Sequence, residues 1–362
     1  MTRPIVIAAG GTGGHTFPAQ ATAQALMARG HRVLLATDPR GANFAAKVPG
    51  AEILPIRSAT FDGRNPIKVL SGISQISRGI WQARHAFKRE KPLAVVGFGG
   101  YPALPSMLAA RFTGTPSIIH EANALLGRVN RLVAKRVTKI AVAFPHTEWL
   151  PANAAEKTIL IGNPVRPEIV SKTVPYEPPG ETGPINLLVF GGSQGARVMS
   201  DVMPAALAQL PEAIRARLKV TQQARGEDLM RARDAYRALG VEAETADFFG
   251  DLPERMAGAH LVICRSGASS CAELTAMGRP SILIPYPFAT DDHQRYNARV
   301  LADSGAAIMI PQPEFSAERA AKEMSDLFAA PGRILAMATA AKSLGRPNAA
   351  EAMADAIEAL AR

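Results

Sequence analysis

Short apolar runs alternate with helical patterns along most of the chain. The first run, Ile5–Ala9, leads into a glycine-rich turn, a helical pattern from Pro18 to Arg29 that ends at Gly30, and a second run at Arg32–Ala36. This β-α-β rhythm predicts parallel strands with helices covering both faces of the sheet. Further strands are predicted at Leu93–Val96, Ser117–Ile119, Lys139–Val142 and Thr158–Ile161.

The rhythm pauses at residues 163–184, which are rich in proline and glycine and predict an interdomain linker. It restarts at Ile185–Phe190, again followed by a glycine-rich turn. Two similar doubly wound α/β domains are therefore predicted, residues 1–166 and residues 167–344. Further strands of the second domain are predicted at Lys219–Gln222, Leu261–Cys264 and Ser281–Ile284.

The last segment, residues 345–362, is predicted to be helical. Met353, Ile357 and Leu360 fall on one helical face. The helix can belong to the second domain or cross back to the first, and the pattern alone does not choose between them.

Charge is distributed unevenly over the 362 residues, whose formal net charge is +10. Residues 1–166 hold 21 Lys and Arg against 7 Asp and Glu, whereas residues 167–362 are net negative. A strongly basic half suggests an anionic partner, which can be nucleic acid, phosphate or a membrane surface. Only two cysteines are present, Cys264 and Cys271. They exclude a disulfide framework and a cysteine-built metal site, and they fit a reducing compartment.

Hydrophobic segments are too short for a membrane span of about 18 apolar residues. The N-terminus lacks the pattern of a signal peptide, so we expect a cytoplasmic protein whose membrane contact is peripheral. Residues 61–91 combine seven Lys and Arg with Trp81 and with Ile73, Ile76, Ile80 and Phe87 at helical spacing. This stretch predicts either an ordinary helix with a core face or an interfacial membrane patch.

The turn Gly10–Gly14 lies between the first strand and the first helix, and His15 follows it. Glycines allow a ligand to approach the backbone, and a helix N-terminus offers N–H groups to anionic oxygens. The imidazole of His15 is placed for general-base work. Thr16 occupies the third glycine position of the dinucleotide fingerprint, but Asp38 after the second strand keeps an NAD-dependent oxidoreductase open as an alternative.

Other polar or glycine-rich turns also follow predicted strands, at the sheet edge where α/β proteins bind ligands. Gly191–Gly195 lacks the lysine of an NTP-binding P-loop, which disfavours NTP hydrolysis. The segment with Asp291, Asp292 and His293 has no metal-ligand spacing and suits a polyhydroxylated ligand. The remaining turns are Gly97–Tyr101, His120–Asn123 and Arg265–Glu273.

Taken in order, these motifs resemble glycosyltransferase family 28, in particular its peptidoglycan N-acetylglucosaminyl transferases. The resemblance spans about residues 5–300. The motifs that carry it are Gly10–His15, Gly99–Tyr101, His120-Glu121-x-Asn123, Gly162–Arg166, Gly191–Gly195, Arg265–Ala268 with Glu273, and Asp292–Gln294 with Asn297.

The resemblance implies a GT-B fold, with two doubly wound Rossmann-like domains facing across a cleft. It implies inverting transfer of GlcNAc from UDP-GlcNAc to the C4 hydroxyl of MurNAc-pentapeptide on undecaprenyl diphosphate (lipid I), which yields lipid II and UDP for peptidoglycan synthesis. The C-terminal domain would bind the donor and the N-terminal domain the lipid acceptor. The last helix would cross back to the N-terminal domain.

Residue roles follow from the same resemblance. His15 is the first candidate for the catalytic base, and Glu121 the second. Gly100 and Tyr101 would contact the acceptor. The donor would be bound by Thr12, Gly13, Gly14, Asn123, Arg166, Ser193, Phe249, Ala268, Ser269, Ser270, Cys271, Glu273, His293 and Gln294, with Glu273 at the ribose and Phe249 at the uracil edge.

We expect no cofactor and no obligatory metal, because no Asp-x-Asp motif occurs. The expected partners are UDP-GlcNAc, lipid I, the anionic membrane surface at the cytoplasmic face of the inner membrane and other cell-wall synthesis proteins. The basic half is thereby assigned to membrane docking, and no nucleic acid is expected. A different GT-B glycosyltransferase acting on a UDP-sugar and a lipid is the nearest alternative function.

Overall fold

The chain divides into two compact units in a computed structural model, which describes residues 2–11, 13–38, 46, 48–59, 66–192 and 195–361. Unit 1 is residues 1–166 together with 346–362, and unit 2 is residues 167–345. Each unit contains one fully parallel sheet covered by helices, so the predicted doubly wound α/β class is confirmed.

The sheet of unit 1 has seven strands in the order β3-β2-β1-β4-β5-β6-β7. The strand order therefore reverses between β1 and β4, which pair directly. In a doubly wound sheet this reversal opens the crevice where ligands bind, at the carboxyl ends of the strands. The strands are β1 (Ile5–Ala8), β2 (Val33–Thr37), β3 (Glu52–Pro55), β4 (Ala94–Gly97), β5 (Ser117–Glu121), β6 (Lys139–Val142) and β7 (Thr158–Leu160).

Helices cover both faces of this sheet, and the apolar β1 and β4 strands are fully buried between them. The first helix begins at Gly13, five residues before the predicted start at Pro18, so that the glycines and His15 form its first turn. The helices of unit 1 preceding the linker are α1 (Gly13–Ala28), α2 (Pro66–Glu90), α3 (Gly100–Thr113) and α4 (Arg128–Val133), with a 3₁₀ turn at Ala152–Lys157.

The sheet of unit 2 has six strands in the order β10-β9-β8-β11-β12-β13, which reverses between β8 and β11. The strands are β8 (Ile185–Phe190), β9 (Leu218–Gln223), β10 (Glu242–Ala246), β11 (Leu261–Cys264), β12 (Ser281–Leu283) and β13 (Ala307–Met309). The helices are α5 (Pro167–Ser171), α6 (Arg197–Ala208), α7 (Glu212–Arg215), α8 (Gly226–Ala238), α9 (Leu252–Ala257), α10 (Ala268–Met277), α11 (His293–Asp303), α12 (Ala317–Phe328) and α13 (Pro331–Leu344), with 3₁₀ turns at Thr290–Asp292 and Gln312–Glu314.

The proline-rich stretch predicted as a linker is held against unit 2 over much of its length. Arg279 Nη2 donates to the Val174 carbonyl at 2.6 Å, and Tyr176 Oη donates to the His260 carbonyl at 2.9 Å. Arg217 Nε donates to the Gly183 carbonyl at 2.7 Å. These contacts come from residues distant in sequence, so the composition of the stretch did not predict them.

The last helix, α14 (Ala349–Ala361), packs in the core of unit 1. Met353 and Ile357 are fully buried there. Arg29 at the end of α1 pairs with Glu351 at 2.5 Å and with Asp355 at 2.6 Å. The apolar face and the ion pairs together attach α14 to α1.

Candidate functional site

The crevice of unit 1 brings together the turns that follow β1 and β4. His15 lies half-buried in the first turn of α1. Its ring faces the turn after β4, where a Cβ added to Gly99 would lie 3.0 Å from His15 Cδ2 and one added to Gly100 would lie 3.6 Å from His15 Nδ1. Both glycines have positive φ, +82° and +70°. Any side chain at Gly99 would therefore strain the backbone and crowd the imidazole.

The other predicted residues of this crevice surround His15 along the chain. Gly13 and Gly14 open α1, and Gly100 and Tyr101 open α3, with Tyr101 partly buried against the sheet core. Thr12 lies outside the described residues.

Glu121 ends β5 and is buried, with both carboxylate oxygens engaged inside the protein. Its Oε1 accepts from the Asn123 backbone N–H at 3.0 Å and from Asn123 Nδ2 at 3.1 Å. Its Oε2 accepts from the Gly127 N–H and from Asn130 Nδ2, both at 2.8 Å. Burial raises the pKa of Glu121, and these four hydrogen bonds act in the opposite direction by favouring the carboxylate. The arrangement orients Asn123 and closes the loop between β5 and α4.

His120 precedes Glu121 and is also buried. Its Nε2 lies 2.9 Å from the Gly162 carbonyl, which can only accept, so this nitrogen carries the proton. Its Nδ1 is buried without a hydrogen-bond partner among the described residues. The pKa of His120 is lowered to about 4, mainly by burial and to a smaller extent by the nearby His15, while the hydrogen bond to Gly162 acts in the opposite direction. His120 is therefore a neutral donor that fixes the turn at Gly162.

Arg166 closes the Gly162–Arg166 motif at the end of the first stretch of unit 1. Its guanidinium carbon lies 5.1 Å from the centre of the Phe17 ring on α1. This cation–π contact places a positive charge beside the first turns of α1.

The crevice of unit 2 is formed by the turns after β8 and β11. In the first turn Gly192 and Gly195 have positive φ, and the Gly195 N–H donates to the Gly192 carbonyl at 2.9 Å. Gly191 packs so closely on Ala196 that a side chain there would overlap the backbone. Ser193 lies outside the described residues. The tight turn therefore requires glycine at several positions, as the motif predicts.

Helix α10 begins directly after β11, at the adjacent position in the same crevice. Its N-cap is Gly267, which has no side chain that could accept a hydrogen bond from the first N–H groups of the helix. Ala268 is buried, Ser269 and Ser270 are half-buried, and Glu273 is 6% exposed. Burial raises the pKa of the Cys271 thiol to about 12, which keeps it protonated and unreactive.

Phe249 lies in the turn after β10 and is buried under Arg255. The guanidinium carbon of Arg255 is 4.3 Å from the centre of the Phe249 ring, and the same group pairs with Glu244 at 2.6 Å and with Asp251 at 2.9 Å. The stacking of Arg255 on Phe249 and its two ion pairs together hold the backbone of the turn in place.

The start of α11 is tied to the ends of β11 and β12. Gln294 Oε1 accepts from the Tyr286 N–H at 3.0 Å, and the Gln294 carbonyl accepts from Ser266 Oγ at 2.8 Å. The first bond orients the amide so that its NH₂ group is the end directed away from Tyr286. His293 Nδ1 lies 2.8 Å from the Thr290 carbonyl. Asp291 and Asp292 both have positive φ, a strained conformation that concentrates at functional sites.

Three site-supporting residues escaped the sequence analysis: Asn130, Gln223 and Arg255. Each acts from a different element through a contact outside the predicted motifs, so no motif marks it. Asp38, considered above for an NAD enzyme, is 4% exposed and accepts a 2.6 Å hydrogen bond from Ser58 Oγ.

None of the described helices has an apolar stretch long enough to cross a membrane. No group of three His, Cys, Asp or Glu side chains in the described ranges is arranged to hold a metal ion.

Comparison with known proteins identifies the family. The glycosyltransferase family 28 N-terminal domain matches residues 5–142, and its C-terminal domain matches residues 186–358. Two relatives carry the name UDP-N-acetylglucosamine--N-acetylmuramyl-(pentapeptide) pyrophosphoryl-undecaprenol N-acetylglucosamine transferase. The protein from Caulobacter vibrioides is 49% identical to this chain over 100% of both chains. The protein from Mesorhizobium japonicum is 50% identical to this chain over 99% of this chain and 95% of its own. The crystal structure of MurG from Acinetobacter baumannii matches with a TM-score of 0.81 at 30% identity, over 99% of this chain and 100% of that chain. The fold is GT-B, and the chain belongs to glycosyltransferase family 28.

Proposed function

We propose that this protein transfers GlcNAc from UDP-GlcNAc to the C4 hydroxyl of lipid I with inversion at the anomeric carbon, yielding lipid II and UDP. The observation that carries this proposal is the identity of about half of all residues, over the full length, with relatives whose name specifies this reaction. The glycine-rich and polar turns at both sheet reversals agree with it, because they supply ligand-binding groups where doubly wound folds bind ligands.

The donor nucleotide is assigned to the crevice of unit 2. The N-terminus of α10, with Ala268, Ser269, Ser270 and Cys271, directs backbone N–H groups and the positive end of the helix dipole at the diphosphate. Glu273 accepts hydrogen bonds from the two ribose hydroxyls. The backbone at Phe249 reads the uracil edge, and Ser193 contacts the nucleotide.

The sugar and the leaving group need further polar contacts. The amide NH₂ of Gln294, together with His293, is assigned to the GlcNAc hydroxyls. Thr12, Gly13, Gly14 and Asn123 are assigned to the donor sugar or diphosphate from unit 1. Arg166 stabilises the negative charge that develops on UDP as it leaves, so the reaction needs no strong general acid.

His15 is the proposed base that removes the proton from the acceptor hydroxyl as that oxygen attacks the anomeric carbon. Its imidazole is half-buried and lies against Gly99 and Gly100, where a side chain would crowd it. Glu121 is the weaker candidate, because four donors already occupy its oxygens. We assign Glu121 the role of orienting Asn123. Gly100 and Tyr101 are assigned to acceptor binding.

The membrane contact is assigned to an exposed face of α2. Leu70, Ile73 and Trp81 are 68%, 49% and 67% exposed, whereas Ile76 and Phe87 are buried. Exposed Arg78, Arg84 and Lys88 accompany the apolar side chains. An apolar face flanked by cations suits an anionic leaflet. The protein would thereby act peripherally at the cytoplasmic face of the inner membrane, where other cell-wall synthesis proteins are candidate partners.

The decisive experiment measures transfer of radiolabelled GlcNAc from UDP-GlcNAc to a lipid I analogue. Parallel reactions replace lipid I by diacylglycerol, and a thermal-shift assay compares UDP with NAD. Label should enter the lipid I analogue alone, and UDP but not NAD should raise the melting temperature. Transfer to diacylglycerol alone would establish the related lipid glycosyltransferase instead, and stabilisation by NAD alone would reject the donor assignment.

A further inference from the structure

Gln223 joins two turns of unit 2 that lie on either side of its own strand. It is the last residue of β9, which pairs with β8 on one side and β10 on the other. Its Oε1 accepts from the Gly191 N–H at 3.3 Å, and its Nε2 donates to the Asp247 carbonyl at 3.0 Å. Gly191 is the first residue after β8, and Asp247 is the first after β10. The side-chain amide thus adds one more rung to the sheet beyond the last backbone pairs.

The two turns joined in this way are the ones assigned above to different parts of the nucleotide. Gly191–Gly195 contains Ser193, and the turn that begins at Asp247 contains Phe249. The distance between the two turns must match the spacing of the nucleotide groups that they bind. Each turn is also held on its far side, the first by the close packing of Gly191 on Ala196 and the second by Arg255 over Phe249. Gln223 contacts both turns.

We infer that Gln223 is a positioning residue that sets the spacing of these turns and thereby the affinity and base selectivity for the donor nucleotide. This inference rests on the proposed function. The role requires one group that accepts on one side and donates on the other, which a carboxamide does. Leucine at this position loses both bonds. Glutamate can still accept from the Gly191 N–H but directs a negative charge at the Asp247 carbonyl.

The neighbouring Gln222 shows that the role belongs to one side chain and not to the strand end as a whole. Gln222 is fully buried on the other face of β9, where it accepts from Tyr236 Oη and donates to Ser200 Oγ at 3.2 Å. That network secures β9 to the core and is independent of the two turns. The strand should therefore stay in place when Gln223 is replaced.

The test compares the wild-type protein with the variants Gln223→Leu, Gln223→Glu and Lys219→Met. Lys219 is a matched control, because it lies on the same strand and bridges to β10 through a 3.2 Å ion pair with Glu242, away from the turns. Dissociation constants for UDP and CDP are measured by calorimetry, and kcat and KM are measured with UDP-GlcNAc.

Loss of two hydrogen bonds should weaken UDP binding about tenfold in Gln223→Leu, and KM for UDP-GlcNAc should rise by a similar factor with kcat within about twofold. The preference for UDP over CDP should fall, because the turn that reads the base is displaced. Gln223→Glu should weaken binding at least as much, and Lys219→Met should behave as wild type.

Wild-type affinity and selectivity in both Gln223 variants would overturn the inference while leaving the proposed function intact. So would a loss confined to kcat, or an equal loss in Lys219→Met. Failure of the wild-type protein to bind UDP would instead reject the proposed function. Circular dichroism checks folding, and Gln223→Glu serves as the informative variant where Gln223→Leu does not fold.

Discussion

Asn130 Nδ2 on α4 lies 2.8 Å from Glu121 Oε2 at the end of β5, and both residues are 3% exposed. The same nitrogen is 3.0 Å from the His120 carbonyl. One amide therefore holds both the carboxylate that orients Asn123 and the backbone of the preceding residue. This contact is one of four hydrogen bonds that the two carboxylate oxygens of Glu121 accept.

Removing that amide should destabilise the protein and disturb donor turnover. In Asn130→Ala a buried carboxylate loses a donor, which costs about 2 kcal/mol of unfolding free energy. Asn130→Asp keeps the shape but places a second carboxylate beside Glu121, so its loss should be larger. Urea unfolding measures the unfolding free energy of both Asn130 variants and of the wild type, and Gln75→Ala, at an exposed position, is the control. If Asn130→Ala and Asn130→Asp were both as stable as Gln75→Ala, the role of Asn130 would be contradicted.

Replacing His15 tests the proposed base. His15→Ala should lower kcat by about 10²–10⁴-fold, the contribution typical of general-base catalysis, while the dissociation constant of UDP stays within about twofold. Single-turnover assays measure the loss of catalytic rate, and calorimetry measures the dissociation constant of UDP. Glu121→Gln is the comparison, and it should lose less of kcat than His15→Ala. The reverse order would transfer the base role to Glu121.

Replacing Glu273 tests the ribose contact. Glu273→Ala should raise the dissociation constant of UDP by about tenfold or more, because two charge-assisted hydrogen bonds are lost. Binding of 2′,3′-dideoxy-UDP, which lacks both hydroxyls, should change little. A loss of equal size for both ligands would show that Glu273 acts on the fold of α10 and not on the ribose.

Stability should depend on pH through His120. Its pKa is about 4 in the folded protein, against 6.5 for an unperturbed histidine, so the unfolded state binds more protons between these values. Stability should therefore be fully present above about pH 6.5 and fall as pH drops towards 4, by about 3 kcal/mol in total. His120→Gln keeps a donor towards the Gly162 carbonyl and removes the titration. Urea unfolding at several pH values should show a shallower pH dependence for this variant, and identical slopes would contradict the assignment.

Replacing the exposed apolar residues of α2 tests membrane docking. The double variant Leu70→Ser and Trp81→Ser should bind vesicles containing anionic lipid at least tenfold more weakly, because it removes apolar area that would insert into the leaflet. Its fold should persist, since both side chains point to solvent. Phe248→Ser, which changes a 75% exposed side chain of unit 2, is the control. Unchanged vesicle binding, or binding indifferent to salt and lipid charge, would remove α2 from the docking surface.

The sequence predicted most central strands because fully buried parallel strands appear as continuous apolar runs. It missed β3, β10 and β13, which all lie at sheet edges. Edge strands are only partly covered, and the exposed residues of β3 and β10 interrupt the apolar run that would have marked them. The register of these strands depends on their neighbours, which local pattern does not reveal.

The amino-acid sequence alone determined the two-domain α/β class, the order of the motifs and the family, because these depend on residue types at fixed spacing. The tertiary structure decided which side chains are available for chemistry. Glu121 was predicted as the second candidate base after His15, and no sequence motif indicated that Asn123, Gly127 and Asn130 donate hydrogen bonds to its oxygens. Likewise, the exposed and buried sides of α2 became distinguishable only from its packing against α3. Hydrogen bonds and burial depend on how the elements and loops pack in three dimensions, and the pattern of residue types does not record that packing directly.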